Sequence, residues 1–373
     1  MSTGLRDSRR DSERLNAICP YFTMFPLSVP ARQLSGLAAG AWVLDPFCGR
    51  GSTNYAARMR GLSSVGLDSN PVAIAIAEGK MASVEAGDVE RACSAILSKE
   101  APAQVPEGDF WAMCYHPRTL LDLCRLRDSL LVDHGAPARK ALRALLLGLL
   151  HGPRNKGAPS YFSNQMPRTY ASKPDYAVRF WKKHRMLPEH IDVRELVARK
   201  ARHYFLATPP HVPHVVLRRD SRTFDLTTLG LKFSMVVTSP PYYGMRTYVP
   251  DQWLRYWFLG GPPIATYKHP DQMSHGSAAE FAEQLAAVWS HVGRACHPRA
   301  KLVIRFGGIH DRSARPRDIL LSSLRSARCK FHVLTVRSAG LSSRGKRQAD
   351  QFRRPLRAPI EELDFFVRLE EPS

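Results

Sequence analysis

Asp45-Pro46-Phe47-Cys48-Gly49-Arg50-Gly51-Ser52-Thr53 is the stretch on which the fold turns. Ala41 to Leu44 (AWVL) runs into it as a short apolar segment, and beyond Thr53 small and apolar residues recur at helical spacing through Arg60. That pattern predicts a strand, a glycine loop and a helix. A second short strand, Ser64 to Leu67, ends at Asp68, and Pro71 then opens another helix, VAIAIAEGK, with proline in the first turn, where its missing N–H is tolerated. A β-α-β-α start of this kind predicts an α/β, doubly wound, Rossmann-like domain with a mostly parallel sheet and helices on both faces.

Outward from there the chain changes character. From Val84 to Leu206 the periodicity is helical, as in TLLDLCRLRDSLLVD and KALRALLLGLL, broken by the polar stretch HGPRNKGAPSYFSNQMPRTYASKPDY. This segment is a mainly helical insertion into the sheet domain. Strands resume at His214 to Leu217, Phe233 to Val237, Lys301 to Phe306, Phe331 to Val336 and Leu363 to Leu369, with helices at Ser277 to Cys296 and Pro316 to Ala327. Ser342 to Pro359 reads as a basic, mobile loop. The resulting map is a flexible N-terminus (1–17), one half of the sheet domain (18–83), the insertion (84–212) and the other half (213–373).

Composition narrows the function classes. With 373 residues and 44% hydrophobic residues, the chain can bury a sizeable core, which excludes global disorder. Its longest apolar runs, such as Ala144 to Leu150, fall well short of the roughly 18 to 20 residues of a membrane span. The N-terminus mixes charges and has no apolar core of a secretory signal, so a cytoplasmic protein is expected. Seven cysteines without a C-x-x-C pair, and fourteen histidines without H-E-x-x-H or H-x-E spacing, predict reduced thiols and no metal. The informative excess is positive charge: +21 overall, with 14 Lys/Arg against 5 Asp/Glu from His151 to Asp220 and 16 against 3 from Arg299 to Ile360. A protein this basic calls for a polyanionic partner, and nucleic acid is the first candidate.

The glycine loop is neither G-x-G-x-x-G, since position 54 is asparagine, nor a Walker loop, since no Gly-Lys-Ser/Thr follows. Its logic is related. Glycines let backbone approach a ligand, and a helix N-terminus beginning at Ser52 suits a carboxylate. Asp45 at the strand end is placed to accept from an ammonium, and Asp68, 23 residues on, to accept from two ribose hydroxyls. Ammonium, carboxylate and ribose together describe S-adenosylmethionine. A second motif, Val236-Val237-Thr238-Ser239-Pro240-Pro241-Tyr242-Tyr243, follows a buried-looking strand, and Pro-Pro fixes a rigid, extended turn at its end. An exocyclic amine is a poor nucleophile because its lone pair is delocalised into the ring. If the Ser239 hydroxyl and the Pro240 carbonyl accept its two N–H bonds, the lone pair is freed for in-line attack on a sulfonium methyl. Tyr242 offers a face on which an extruded base can stack.

The two motifs together resemble those of the amino-methylating DNA methyltransferases. Asp45 to Thr53 is similar to the D-P-F-x-G-x-G-T cofactor loop of that family, and Pro20-Tyr21-Phe22-Thr23-Met24-Phe25-Pro26 to the stretch that folds over the methionine end of the cofactor. Ser239-Pro240-Pro241-Tyr242 resembles the family's catalytic motif in the serine-first form of the cytosine-N4 enzymes. The resemblance implies a class I S-adenosylmethionine-dependent fold, with Phe25, Asp45, Pro46, Phe47, Gly49, Gly51, Ser52, Thr53, Asp68 and Asp220 at the cofactor, Asp220 beside its adenine ring. It implies direct transfer to cytosine N4 in duplex DNA by a bacterial or archaeal, nucleoid-associated protein of a restriction-modification or defence system, with a cognate restriction endonuclease as a further partner. Adenine-N6 methylation, RNA methylation and non-catalytic DNA binding stay open as alternatives. Tyr243 would help shape the base pocket, and Arg246 and Tyr248 in the following loop would touch base or phosphate. Within the insertion, Asn164, Gln165 and Arg168 carry side chains that read purine edges, which makes that region the expected target reader; a helical lid is the alternative.

Overall fold

The computed structural model describes residues 13–21, 26–153, 158–166, 173–206, 209–244, 252–265, 273, 276–308, 314–341 and 361–371. Seven strands form one sheet: β1 (Trp42–Asp45), β2 (Ser63–Asp68), β3 (His214–Arg218), β4 (Phe233–Thr238), β5 (Cys296–Gly307), β6 (Phe331–Leu341) and β7 (Glu361–Leu369). Their spatial order is β3-β2-β1-β4-β5-β7-β6. The first five pair in parallel, whereas β7 runs antiparallel to both β5 and β6. Strand order reverses at β1, with β2 on one side and β4 on the other, so the crevice outside the carboxyl ends of β1 and β4 is the topological switch point of a doubly wound sheet. The fold class expected from the sequence, Rossmann-like with a mainly helical insertion, is the class observed.

Alternation along the strands feeds two cores. Leu44, Val236, Leu302, Ile304 and Phe306 face one layer, where they meet Phe281, Leu285, Val288, Trp289 and Val292 of the helix Ala278–Ala295 and Ile319, Leu320 and Leu324 of the helix Pro316–Arg325. Val43, Met235, Val237 and Val303 face the other, against Ala56 and Ala57 of the helix Ser52–Met59 and Leu34. Each such fully buried side chain contributes about 1.5–3 kcal/mol. Trp289 also fixes the two helices to each other, its indole N–H donating to Ser323 Oγ at 3.0 Å. The starts of β3, β4 and β6 and the end of β7 fall where expected, and the other strand ends differ by one to five residues; β5 starts at Cys296 rather than Lys301.

Contacts divide the chain into two compact units, residues 22–74, 210–247 and 270–373 in one, and 1–21, 75–209 and 248–269 in the other. The sheet and its flanking helices make up the first. The second is helical and larger than the insertion drawn from sequence: it takes in part of the helix Pro71–Met81, the N-terminal residues and the helix Trp253–Phe258. Local packing explains this. Lys80 is buried and donates to Asn16 Oδ1 at 3.0 Å, and Trp253 and Trp257 close an aromatic cluster with Phe110 and Trp111, ring centroids 4.5 to 5.7 Å apart. Arg255, also buried, donates to the carbonyls of Leu147 and Pro20. No helix among the described residues is long and apolar enough to cross a membrane. All seven cysteines are free thiols. The loop expected at Ser342 to Pro359 lies outside the described residues.

Candidate active site

The glycine loop leaves β1 at Asp45 and enters its helix at Ser52. Gly49 and Gly51 have φ of 50° and 72°, in the left-handed region that favours glycine, and Gly51 caps the helix. Cys48 N–H donates to Leu67 O at 2.8 Å and Gly49 N–H to Asp68 Oδ2 at 3.0 Å, so the loop is laced to the end of β2. Where a dinucleotide motif would carry its third glycine, Asn54 is fully buried and its amide donates to Ser64 Oγ. Close helix-to-strand approach is instead provided by Gly66, where a Cβ would come within 2.6 Å of Asn54 Oδ1.

Two acids flank this loop. Asp45 is 4% exposed. Its Oδ1 accepts from Thr238 Oγ1 at 2.7 Å and from Phe47 N–H at 3.1 Å. Burial nevertheless pushes its carboxyl up to about 6, further than these bonds and that of Thr53 bring it down. Asp68 accepts from Asn70 N–H through Oδ1 and from Gly49 N–H through Oδ2, and desolvation likewise raises it to about 6. Two carboxyls held in poor solvent and hydrogen-bonded by neutral hydroxyl and backbone N–H donors form a receptacle for a cation and for hydroxyls. Ammonium and ribose diol are the ligand groups that fit this pair.

Other expected cofactor residues build the frame. Thr53 donates to Val237 O at 3.1 Å, which ties the helix to β4. Ser52 is buried in the first turn, Phe47 meets Trp289 edge-on at 6.3 Å, and Pro46 O accepts from Ser221 Oγ. Asp220 carries an ion pair: its carboxylate is engaged by the Arg222 guanidinium, Nε to Oδ1 at 3.0 Å and Nη2 to Oδ2 at 2.6 Å. Although partial burial acts upward, these bonds hold it below the usual carboxylate range. Phe25 lies outside the described residues.

Ser239, Pro240, Pro241 and Tyr242 leave the carboxyl end of β4, directly after Thr238. The pairing Leu44↔Val236 in adjacent parallel strands brings this turn beside Asp45, and the Thr238 hydroxyl joins the two motifs. Tyr242 packs edge-on to Phe306 at 5.7 Å and shares side-chain hydrogen bonds with Ser239 and Glu362. Burial, together with the Glu362 charge, drives its phenol well above the usual range. Close by, Arg305 and Asp364, paired across β5 and β7, form a buried two-pronged ion pair with bonds of 2.7 and 2.8 Å.

Two residues assigned to substrate have other work. Tyr243 is 6% exposed and packs on Phe281 inside the core. Asn164 is buried in the helical unit. Its amide donates to the carbonyls of Met113 and Met186, and its oxygen accepts from Gln165 N–H, which fastens the loop and leaves no amide edge for a base. Gln165 accepts through its backbone carbonyl from the Trp181 indole. Arg168, Arg246 and Tyr248 lie outside the described residues. Sequence reasoning passed over Thr238, Ser221 and Glu362. Only Thr238 left a trace there, as a hydroxyl directly before the Ser-Pro-Pro-Tyr motif.

No family model matches the chain, and neither does any curated protein. Among solved structures, it is similar to the rRNA methyltransferase AviRa from Streptomyces viridochromogenes, at 14% identity over 96% of this chain and 92% of that one, TM-score 0.36. A SAM-dependent methyltransferase from Methanosarcina mazei gives 11% over 93% and 99%, TM-score 0.34. Magnesium protoporphyrin IX methyltransferase from Synechocystis PCC 6803, with bound SAM, gives 10% over 99% and 92%, TM-score 0.34. At likeness this low, the activities of these proteins say nothing about the substrate of this chain.

Proposed function

We propose that this protein is a DNA methyltransferase that methylates the exocyclic N4 of cytosine, using S-adenosylmethionine. The observation that carries this reading is the Thr238 bridge: a single 2.7 Å hydrogen bond joins Asp45, the acid that would take the cofactor's ammonium, to the residue preceding Ser239, the hydroxyl that would take the target amine. Asp45 and Asp68 would hold the ammonium and the ribose, and the left-handed Gly49 and Gly51 would let the backbone close on the ligand. When bound, S-adenosylmethionine supplies an electrophilic methyl on sulfonium sulfur. Ser239 Oγ and Pro240 O would accept the two N–H bonds of the amine, drawing its lone pair out of the ring. The serine in first position favours cytosine N4 over adenine N6, and the +21 charge favours a polyanionic acceptor held outside the site.

The deciding experiment is expression in a methylation-deficient bacterial host, followed by modification-sensitive long-read sequencing of the host genome. N4-methylcytosine within a short motif, absent with Ser239→Ala, supports the proposal. Modified adenine instead moves the assignment to N6. Soluble protein that binds S-adenosylmethionine, leaves the genome unmodified and methylates RNA overturns DNA as the substrate.

A further inference from the structure

From the arrangement of Ser239, Tyr242 and Glu362 we infer that Glu362 acts as a positioning residue and proton sink: it fixes the direction of hydrogen bonding through Tyr242 to Ser239 and receives, by that relay, the proton the target amine gives up. This rests on the methyl transfer proposed above. The reasoning begins at Gly307, which pairs with Glu362 across β5 and β7. A Cβ there would lie 3.0 Å from Tyr242 Cε2 and 3.3 Å from Glu362 Cγ, so the missing side chain makes the space in which phenol and carboxylate meet. Phe306, one residue earlier, holds the Tyr242 ring edge-on.

The chemistry of the three groups then sets the direction. An ionised carboxylate only accepts, so Tyr242 must donate its phenolic proton to Glu362. With that proton committed, the phenol oxygen accepts from Ser239. The Ser239 hydroxyl proton thus points to Tyr242, and its lone pairs are left for the N–H of an incoming amine. A serine without this relay could as readily turn its proton toward the amine, the wrong polarity for activating it. Asp364, a carboxylate two residues further along β7, directs both oxygens to Arg305 and is not the acceptor. Among the described residues, the charged groups near Glu362 include its neighbour Glu361, Arg305 on β5, Asp364 two residues along β7 and Arg337 on β6, in register with Asp364.

Methyl transfer forms the N–C bond from the amine lone pair while the C–S bond breaks with its electrons left on sulfur. The nitrogen, now positively charged, loses an N–H proton to Ser239 Oγ, whose own proton passes to Tyr242 Oη as that of Tyr242 passes to Glu362. The N–H electron pair returns to nitrogen. The site ends with one protonated carboxyl, which releases its proton to solvent.

The test uses full-length Glu362→Gln, Tyr242→Phe and the double variant, with Glu362→Asp as the conservative control. NMR of ring-labelled tyrosine, assigned with Tyr242→Phe, follows the phenol without any substrate. Glu362→Gln should lower its titration by at least about one pH unit, because the charge and bond that favour the phenol are gone. No shift overturns the wiring. Single-turnover transfer to unmethylated genomic DNA, at saturating S-adenosylmethionine, should fall about 10²-fold in either single variant, no further in the double, and partly recover in Glu362→Asp. Cofactor Kd should be unchanged in Glu362→Gln. Additive losses in the double variant overturn the relay. Should Glu362→Gln fail to fold, Glu362→Asp decides in its place, through a phenol titration kept near that of wild type and a rate between those of wild type and Tyr242→Phe. Wild-type protein that transfers nothing to DNA defeats the proposed function, and the phenol titration still decides the wiring.

Discussion

Lowering the pH should release the cofactor before it unfolds the protein, and the size of the effect follows from Asp45 and Asp68. Both carboxyls sit at about 6, raised from 3.8 chiefly by desolvation. A ligand that brings an ammonium to one and hydroxyls to the other binds best when both are ionised. At pH 7 each is about nine-tenths ionised, and at pH 5 about one-tenth. If both must be ionised, the competent fraction falls about 100-fold over that interval, or about 2.7 kcal/mol of binding free energy. The ligand's own ammonium keeps its proton throughout. Isothermal titration calorimetry with S-adenosylmethionine from pH 5 to 7 should therefore give log Kd changing by about one unit per pH unit, approaching two at the acid end. In Asp45→Asn the affinity should be weaker at every pH and the pH dependence about half as steep. A Kd that stays flat between pH 5 and 7, or an unchanged slope in Asp45→Asn, would refute the assignment of these acids to the ligand.

Three further outcomes concern stability. Because the folded pKa of Asp45 lies above its unfolded value, the ionised carboxyl destabilises the fold: the cost is absent below pH 3.8, grows as pH rises toward 6 and is complete above it, reaching about 3 kcal/mol. Ligand-free Asp45→Asn, whose amide oxygen can still accept from Thr238 and Phe47, should accordingly show a higher urea midpoint than wild type at pH 7.5 and converge with it near pH 4. Arg305→Met strands the buried Asp364 carboxylate and should cost about 3–5 kcal/mol in chemical denaturation, while Arg305→Met with Asp364→Leu should recover most of it. Gly148→Ala drives a methyl into the backbone of Ile18 and Cys19 and should destabilise the helical unit by about 1–3 kcal/mol, seen as a lower midpoint by circular dichroism.

Local pattern made the sheet readable. Short apolar runs before Asp45, Asp68 and Ser239 give strands, glycine and proline mark where each stops, and the chemistry of the two motifs gathers at those stops. What the sequence hid was which partner each polar or aromatic side chain meets. Asp220 reads as a strand-end acid, and nothing local reveals that Arg222, two residues on, curls back to neutralise it. Tyr243 follows Tyr242 in an aromatic pair, and the turn sends one ring toward Ser239 and the other into the core beside Phe281. Asn164 has the side chain of a base reader, yet burial puts its amide at the service of backbone carbonyls from elsewhere in the helical unit. Glu362 was illegible for the same reason: its value depends on β7 lying against β5, and one of three acids near the start of a strand carries no sign of its neighbours.

The position of β7 has a consequence for biosynthesis. Among the described strands it comes last in sequence yet lies between β5 and β6, and β6 joins the sheet through it. While the ribosome is still adding residues after β6, β5 has an unpaired edge and Arg305 has no Asp364 to meet. Such an edge is the kind of surface on which neighbouring nascent chains mispair. Translation that stops or stalls before Glu361 leaves the glycine loop and the Ser-Pro-Pro-Tyr turn intact in sequence but an incomplete sheet around them. Completion of the sheet beyond β5 is thereby tied to the nine-residue strand β7.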